Sequence, residues 1–386
     1  MAVHILRLHR RACHNLEAPW QYSAPSQWYR TTLGATRRNA CPGAVGGVKK
    51  SMNFRALNIG VIGTTSWGTT LALHLAQLGH EVYLWARSPE EAQQLRHDGE
   101  NRRFLPGIPF TGSLHVTAEE ALLRDAAMTI FAVPSKTLRL NVKRFKQHLT
   151  TATAIVSATK GLETTTGFRM SQVLCEELPS AFESRICVLS GPNLSAEIAR
   201  GLPASTVIAS KNTTLAQQVQ AAFVSPQLRV YTNSDVIGVE LGGSLKNIIA
   251  LGAGIADGLG LGNNSKSAFI TRGLVEITRL GVAAGANPIT FSGLAGLGDL
   301  IATTASPLSR NRYVGEQLAR GRPLQDIEST MHNVAEGVGT TVAALKLSAD
   351  LGIEMPITET TYKVLFENLT PQSALVELMQ RAPQAE

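Results

Sequence analysis

The stretch from Leu57 to Arg87 constrains the fold more than any other part of this chain. Leu57, Ile59, Val61 and Ile62 form a short apolar run, rich in β-branched residues, of the kind that makes a strand buried on both faces. A turn of small residues follows, Gly63-Thr64-Thr65-Ser66-Trp67-Gly68. Leu71, Leu73, Leu75, Ala76 and Leu78 are then spaced for a helix with an apolar face, and Gly79 stands where its C-terminus needs a cap. Glu81 to Trp85 reads as a second strand. The whole is a βαβ unit of about 30 residues, which commits this part of the chain to a parallel sheet.

The turn also carries chemistry. A helix opening at Ser66 to Thr69 presents unpaired backbone N–H groups and the positive end of a dipole, a place for a pyrophosphate. Gly63 and Gly68 are the first and third glycines of a G-x-G-x-x-G pattern, and Thr65 replaces the middle one. A Cβ there costs about 1–2 kcal/mol if the position needs a left-handed backbone, and it adds bulk against the phosphates. On these residues alone a dinucleotide site competes with a plain tight turn. An acid about 20 residues past the glycines usually holds the ribose hydroxyls of NAD; this chain has Ala86 and Arg87 there. A guanidinium suits the 2′-phosphate of NADP, so NADP(H) is slightly favoured over NAD(H). The alternative is a solvated Arg at a strand end.

Further strands are expected at 128–133, 154–158, 186–189, 206–209 and 228–231, with helices between them, Phe104 to Pro109 as loop and Ala118 to Leu123 as helix. From Val236 onward strand signals stop, and helical periodicity with Gly and Ala dominates. The expected fold is α/β: a Rossmann-like, doubly wound, mostly parallel sheet followed by an all-helical C-terminal domain. Residues 53–235 form the dinucleotide-binding domain and 236–386 the helical substrate and catalytic domain. Residues 1–52 form a basic extension expected to be disordered.

The formal net charge of +7 belongs to that extension. Residues 1–51 carry eight basic side chains and one acid, Glu17, so the remainder holds 28 of the 36 basic and 28 of the 29 acidic groups and balances at zero. No nucleic-acid partner follows from such a charge, and no membrane span is expected, since the apolar run from Leu241 to Gly262 is broken by Lys246 and Asp257. The extension reads either as an over-long start, with Met52 as the true beginning, or as an organelle transit segment; the first is favoured. Cys175 and Cys187 have no C-x-x-C partner and no metal-ligand spacing, so a cytoplasmic location and no metal are expected. Oligomeric state is open between monomer and homodimer.

Lys246 is the most informative single residue. Its neighbours three and four positions away are Gly242, Gly243, Ile249 and Ala250, so no charge shares its helix face. Either the ammonium is solvated, or it points into a cleft where a lowered pKa makes it a proton donor. Lys160 lies just past a strand end. Gly293 to Leu300 is a Gly-rich segment containing Asp299, a flexible turn as readily as a site. Ser309-Arg310-Asn311-Arg312 suits a phosphate or an exposed helix start.

Eight stretches, in order, resemble the bacterial-type NAD(P)-dependent glycerol-3-phosphate dehydrogenases: ATKGLE (158–163), SGPNLSAEIARGLP (190–203), GVELGGSLKNIIALGAGIADGLG (238–260), ITRGLVEITRLG (270–281), GLAGLGDL (293–300), SRNR (309–312), VAEG (334–337) and EMPITE (354–359). The resemblance implies reversible, nicotinamide-dependent reduction of the small molecule dihydroxyacetone phosphate to sn-glycerol 3-phosphate, feeding glycerophospholipid synthesis. It implies Lys246 as the proton-transferring residue. It implies substrate contacts at Lys160, Gly191, Asn193, Lys246, Asp299, Ser309, Arg310 and Asn311. Cofactor contacts are implied at Gly63, Ser66, Trp67, Gly68, Arg87, Lys160, Ser195, Arg310, Val334 and Glu336. Asn193 stands where the family usually has Ser or Thr, Ser195 where Ala is more common, and Thr65 is the largest departure. Two rival functions are a related dehydrogenase acting on a hydroxyacyl or sugar acid, and a cofactor sensor that has lost catalysis.

Overall fold

Among the described residues, ten strands and fifteen α-helices follow in outline the alternation expected to Asn233 and the helical run expected after it. The computed structural model describes residues 56–150, 153–331 and 334–382; the extension expected to be disordered lies outside them. The strands are β1 (Asn58–Ile62), β2 (Glu81–Trp85), β3 (Glu100–Asn101), β4 (Leu105–Pro109), β5 (Leu114–Thr117), β6 (Met128–Phe131), β7 (Ala154–Ser157), β8 (Ile186–Ser190), β9 (Ala204–Ala209) and β10 (Leu228–Asn233). Between them run α1 (Ser66–Gln77), α2 (Pro89–Asp98), α3 (Leu138–Phe145), α4 (Met170–Glu177), α5 (Ser195–Ala199) and α6 (Thr213–Phe223).

Eight strands form one sheet in the order β10-β9-β8-β7-β6-β1-β2-β5, parallel throughout except for β8 against β9. β6, β7 and β8 are buried along their whole lengths, which is why they read as near-continuous apolar runs, whereas the edge strand β10 alternates. The chain moves outward from β1 to β2 and β5, then returns to β6 on the other side of β1. Loops leaving β1 and β6 therefore diverge, and the crevice between them is where α/β sheets of this kind take their ligands.

The sheet half departs from expectation in three places. Residues expected as loop include β4, which pairs antiparallel with β3, and β5 lies in a segment where no strand was expected. Pro106, Pro109 and Gly107, whose φ is +77°, conceal β4, because proline gives no ladder donor and glycine weakens the strand pattern. β5 is a four-residue edge strand buried only at its end. The helix expected from Ala118 is a single 3₁₀ turn, Glu120–Leu123.

The helical half comprises α7 (Val236–Gly258), α8 (Gly262–Ala283), α9 (Pro288–Phe291), α10 (Asp299–Ala305), α11 (Arg310–Ala319), α12 (Leu324–Ser329), α13 (Glu336–Leu351), α14 (Pro356–Phe366) and α15 (Pro371–Met379). α7 is its axle, with α8, α10, α11 and α13 packed around it. It is long and apolar enough to cross a membrane, but 89% of its apolar window is buried inside the protein. Its glycines explain the close fit. A Cβ on Gly243 would lie 2.2 Å from the Ser190 hydroxyl at the end of β8, so only glycine lets α7 press against the ligand end of the sheet.

Candidate active site

The turn after β1 is built by glycines that other residues cannot replace. Gly63 has φ +118°, and a Cβ there would come within 2.6 Å of the Ala132 carbonyl in the loop after β6. A Cβ on Gly68 would sit 2.0 Å from the carbonyl of Gly63. Thr65 has φ −67°, so the left-handed strain considered for it does not arise. Its hydroxyl instead donates to Ala132 O (3.0 Å) and accepts from Gly68 N (3.4 Å), capping α1. Ser66 donates to Phe104 O (2.7 Å), and buried Asn101 donates to Thr64 O and to the Thr69 hydroxyl, both at 2.8 Å. The Trp67 indole nitrogen is buried with no hydrogen-bond partner among the described residues. Two glycines where a Cβ cannot fit, a helix N-terminus and an unpaired donor fit a dinucleotide pyrophosphate.

Arg87 is exposed at the end of β2 as expected, but it is not free of acids. Its Nε lies 3.3 Å from Glu91 of α2, whose other oxygen accepts from the Thr64 hydroxyl (2.7 Å). Ser195, at the start of α5, faces α1, where its carbonyl accepts from Thr70 (3.3 Å).

Charged groups gather at the other side of the crevice. Lys160, beyond the C-terminus of β7, donates to Gly191 O (2.7 Å) and to Asp299 Oδ2 (2.8 Å). Lys246, from the middle of α7, donates to the other oxygen of Asp299 (2.6 Å) and to the Thr303 hydroxyl. One carboxylate, 1% exposed, thus bridges two ammonium groups brought from opposite halves of the protein. Burial of Lys246, reinforced by the Lys160 charge and opposed by Asp299, lowers its pKa to about 8. Asp299 is presented by a π-helical turn, Leu294–Gly298, that runs into α10, so the Gly-rich segment is structured rather than a flexible turn.

The phosphate-like cluster divides. Arg310 is exposed and donates to Val334 O (2.8 Å). Asn311 is buried, donating to Asn247 (2.8 Å) and accepting from Gly337 N (2.9 Å), while Ser309 caps α11. Arg312, grouped with them by its position in the sequence, turns to Asp257 (2.6 Å) and Glu316 (2.8 Å), because successive helical residues point about 100° apart. Asn193 is held by β9, donating to Ser205 O and accepting from Thr206. Glu336, at the N-terminus of α13, accepts from Ser135 N (3.1 Å) and the Ser135 hydroxyl (2.5 Å), strapping the helical half to the loop after β6. Asn101, Glu91, Ser135, Asn247 and Thr303 were not singled out by sequence reasoning, and only their positions in space recommend them. A cavity of about 950 Å³ lies between α7, α8, α14 and α15 and includes none of these residues. Among the described residues no group of three or more His, Cys, Asp or Glu side chains is placed to hold a metal.

A glycine turn at the switch point of a doubly wound sheet, together with a buried lysine from a helical half, defines a nicotinamide-dependent dehydrogenase of two-part build. Comparison with known proteins narrows the class. Residues 58–216 match the N-terminal part, and 235–376 the C-terminal part, of the NAD-dependent glycerol-3-phosphate dehydrogenase family. The chain is 53% identical over 321 residues to a glycerol-3-phosphate dehydrogenase [NAD(P)+] of Dehalococcoides mccartyi, covering 83% of this chain and 89% of that one. It is 49% identical over 334 residues to the Chlorobium phaeobacteroides protein of the same name, covering 86% and 99%. The solved glycerol-3-phosphate dehydrogenase of Coxiella burnetii superposes with a TM-score of 0.80 at 36% identity, covering 84% of this chain and 99% of that structure. The chain belongs to the NAD-dependent glycerol-3-phosphate dehydrogenase family.

Proposed function

We propose that Lys246, Asp299 and Lys160 carry out the reversible reduction of dihydroxyacetone phosphate to sn-glycerol 3-phosphate. In this reading residues 53–235 hold NAD(P)(H), with Gly63, Ser66, Trp67, Gly68 and Arg87 along the dinucleotide. Residues 236–386 supply the proton. The bound nicotinamide provides the hydride; the protein's task is to orient the substrate and manage one proton. Lys246, an ammonium below about pH 8, gives its proton to the oxygen that becomes the alcohol, and takes it back in the oxidation. Lys160 contributes a fixed positive charge beside that oxygen. Asp299 aims Lys246 and keeps Lys160 in place.

Gly191, Asn193, Ser309, Arg310 and Asn311 hold the phosphate end of the substrate, whose remote binding aligns the reacting carbon. Ser195, Val334 and Glu336 border the cofactor. The observation that carries the reading is the single Asp299 carboxylate between Lys160 and Lys246. The free thiols of Cys175 and Cys187 support a reducing, cytoplasmic setting, with synthesis of glycerophospholipids as the use of the product. Monomer and homodimer are both compatible with this chemistry, and sedimentation separates them. Initial rates with dihydroxyacetone phosphate and each nicotinamide cofactor test the activity. Turnover no faster than without enzyme, in a protein that binds the cofactor, would overturn it in favour of a sensor.

A further inference from the structure

We infer that Glu91 decides which nicotinamide dinucleotide this chain prefers, by setting a fixed carboxylate where a 2′-phosphate would need to lie; this rests on the dehydrogenase reading above. Sequence spacing leaves Ala86 and Arg87 at the ribose end of β2 and so points to NADPH. The folded chain supplies the acid from elsewhere. Glu91 sits in the first turn of α2, where its backbone N–H is held by the Ser88 cap (3.2 Å). Its side chain folds back across the ends of β1 and β2. One oxygen accepts from the hydroxyl of Thr64, the residue immediately after Gly63 (2.7 Å), and the other lies 3.3 Å from both the backbone N and the Nε of Arg87. The Glu91 side chain is 23% exposed and that of Arg87 is 76% exposed, so the carboxylate is anchored and the guanidinium is not.

A ribose with both hydroxyls donates hydrogen bonds to such a carboxylate. A 2′-phosphate brings up to two further negative charges against it, and meets an Arg87 whose charge Glu91 already offsets. The arrangement therefore selects NADH, and Arg87, free to turn, is what leaves NADPH usable.

The test is binding without substrate, read by quenching of tryptophan fluorescence in the full chain. Expected is tighter binding of NADH than of NADPH. In Glu91→Gln, which keeps an acceptor for Thr64, the NADPH-to-NADH affinity ratio rises by about tenfold or more, and adding Arg87→Ala removes that gain. On the unaltered protein, ADP-ribose displaces NADH more effectively than its 2′-phosphorylated form, a measurement that needs no variant to fold. A merely structural Glu91 would lower the melting temperature and leave the ratio within twofold, which overturns the inference, as does a native preference for NADPH. Binding of neither dinucleotide overturns the dehydrogenase reading itself.

Discussion

The turn at Gly63–Gly68 and the cluster at Lys160, Asp299 and Lys246 face the same chemistry with opposite means. The turn carries no formal charge and depends on atoms it lacks: a methyl group at Gly68 would sit 2.0 Å from a carbonyl oxygen. The cluster depends on atoms it has, two ammoniums on one carboxylate, nearly closed off from water. Backbone amides grip an anion whatever the pH. Buried charges are sensitive to pH and to the loss of any partner, because each is solvated only by the others. In the proposed mechanism one side holds and the other reacts, and the two should fail differently.

The largest expected effect is on the reacting side. Lys246→Ala removes the proposed proton donor and should lower turnover by about 10²–10⁴-fold with the cofactor dissociation constant unchanged; near-native turnover would remove Lys246 from the mechanism. On the holding side, Gly68→Ala should lose cofactor affinity by tenfold or more and stability by about 1–3 kcal/mol, seen by titration and thermal melting. The opposition between holding and reacting sides breaks if this variant binds normally and loses turnover instead.

A subtler test is pH. Lys246 is charged below its pKa of about 8 and neutral above it. With Lys246 as the proposed donor the reduction needs the charged form, so kcat/KM for dihydroxyacetone phosphate should be level below that pH and fall above it, while oxidation of glycerol 3-phosphate rises through the same point. Asp299 is the group that raises this pKa, so Asp299→Asn should move the midpoint below 8; an upward move would contradict the assigned pairing. The smallest effect belongs to Thr65→Gly. With Thr65 at φ −67° there is no strain to relieve, and losing its cap costs only a few tenths of a kcal/mol. Cofactor affinity should stay within about threefold, and a marked gain would show the threonine to be a burden on the turn.

What could be read from sequence were the features whose causes are contiguous. The βαβ unit, the buried strands and the change to helix after Val236 follow from periodicities within each segment, and Gly63 and Gly68 follow from spacing within one turn. β4 escaped because two prolines and a glycine hide a strand whose pairing is supplied by β3. Lys246 stood out as a charge without a partner on its own helix, but its partner was invisible, being 53 residues away on α10.

By itself, then, the sequence determined the alternation of elements, the glycine turn after β1 and the family, since those rest on local patterns and ordered motifs. Only the tertiary structure decided that Asp299 joins Lys246 to Lys160, 139 residues upstream of it, that Arg312 pairs with Asp257, and that Glu91 stands beside Arg87. The reason is that a charge in a folded protein is governed by what lies within a few ångströms of it, and those neighbours are set by how strands and helices pack rather than by their order along the chain.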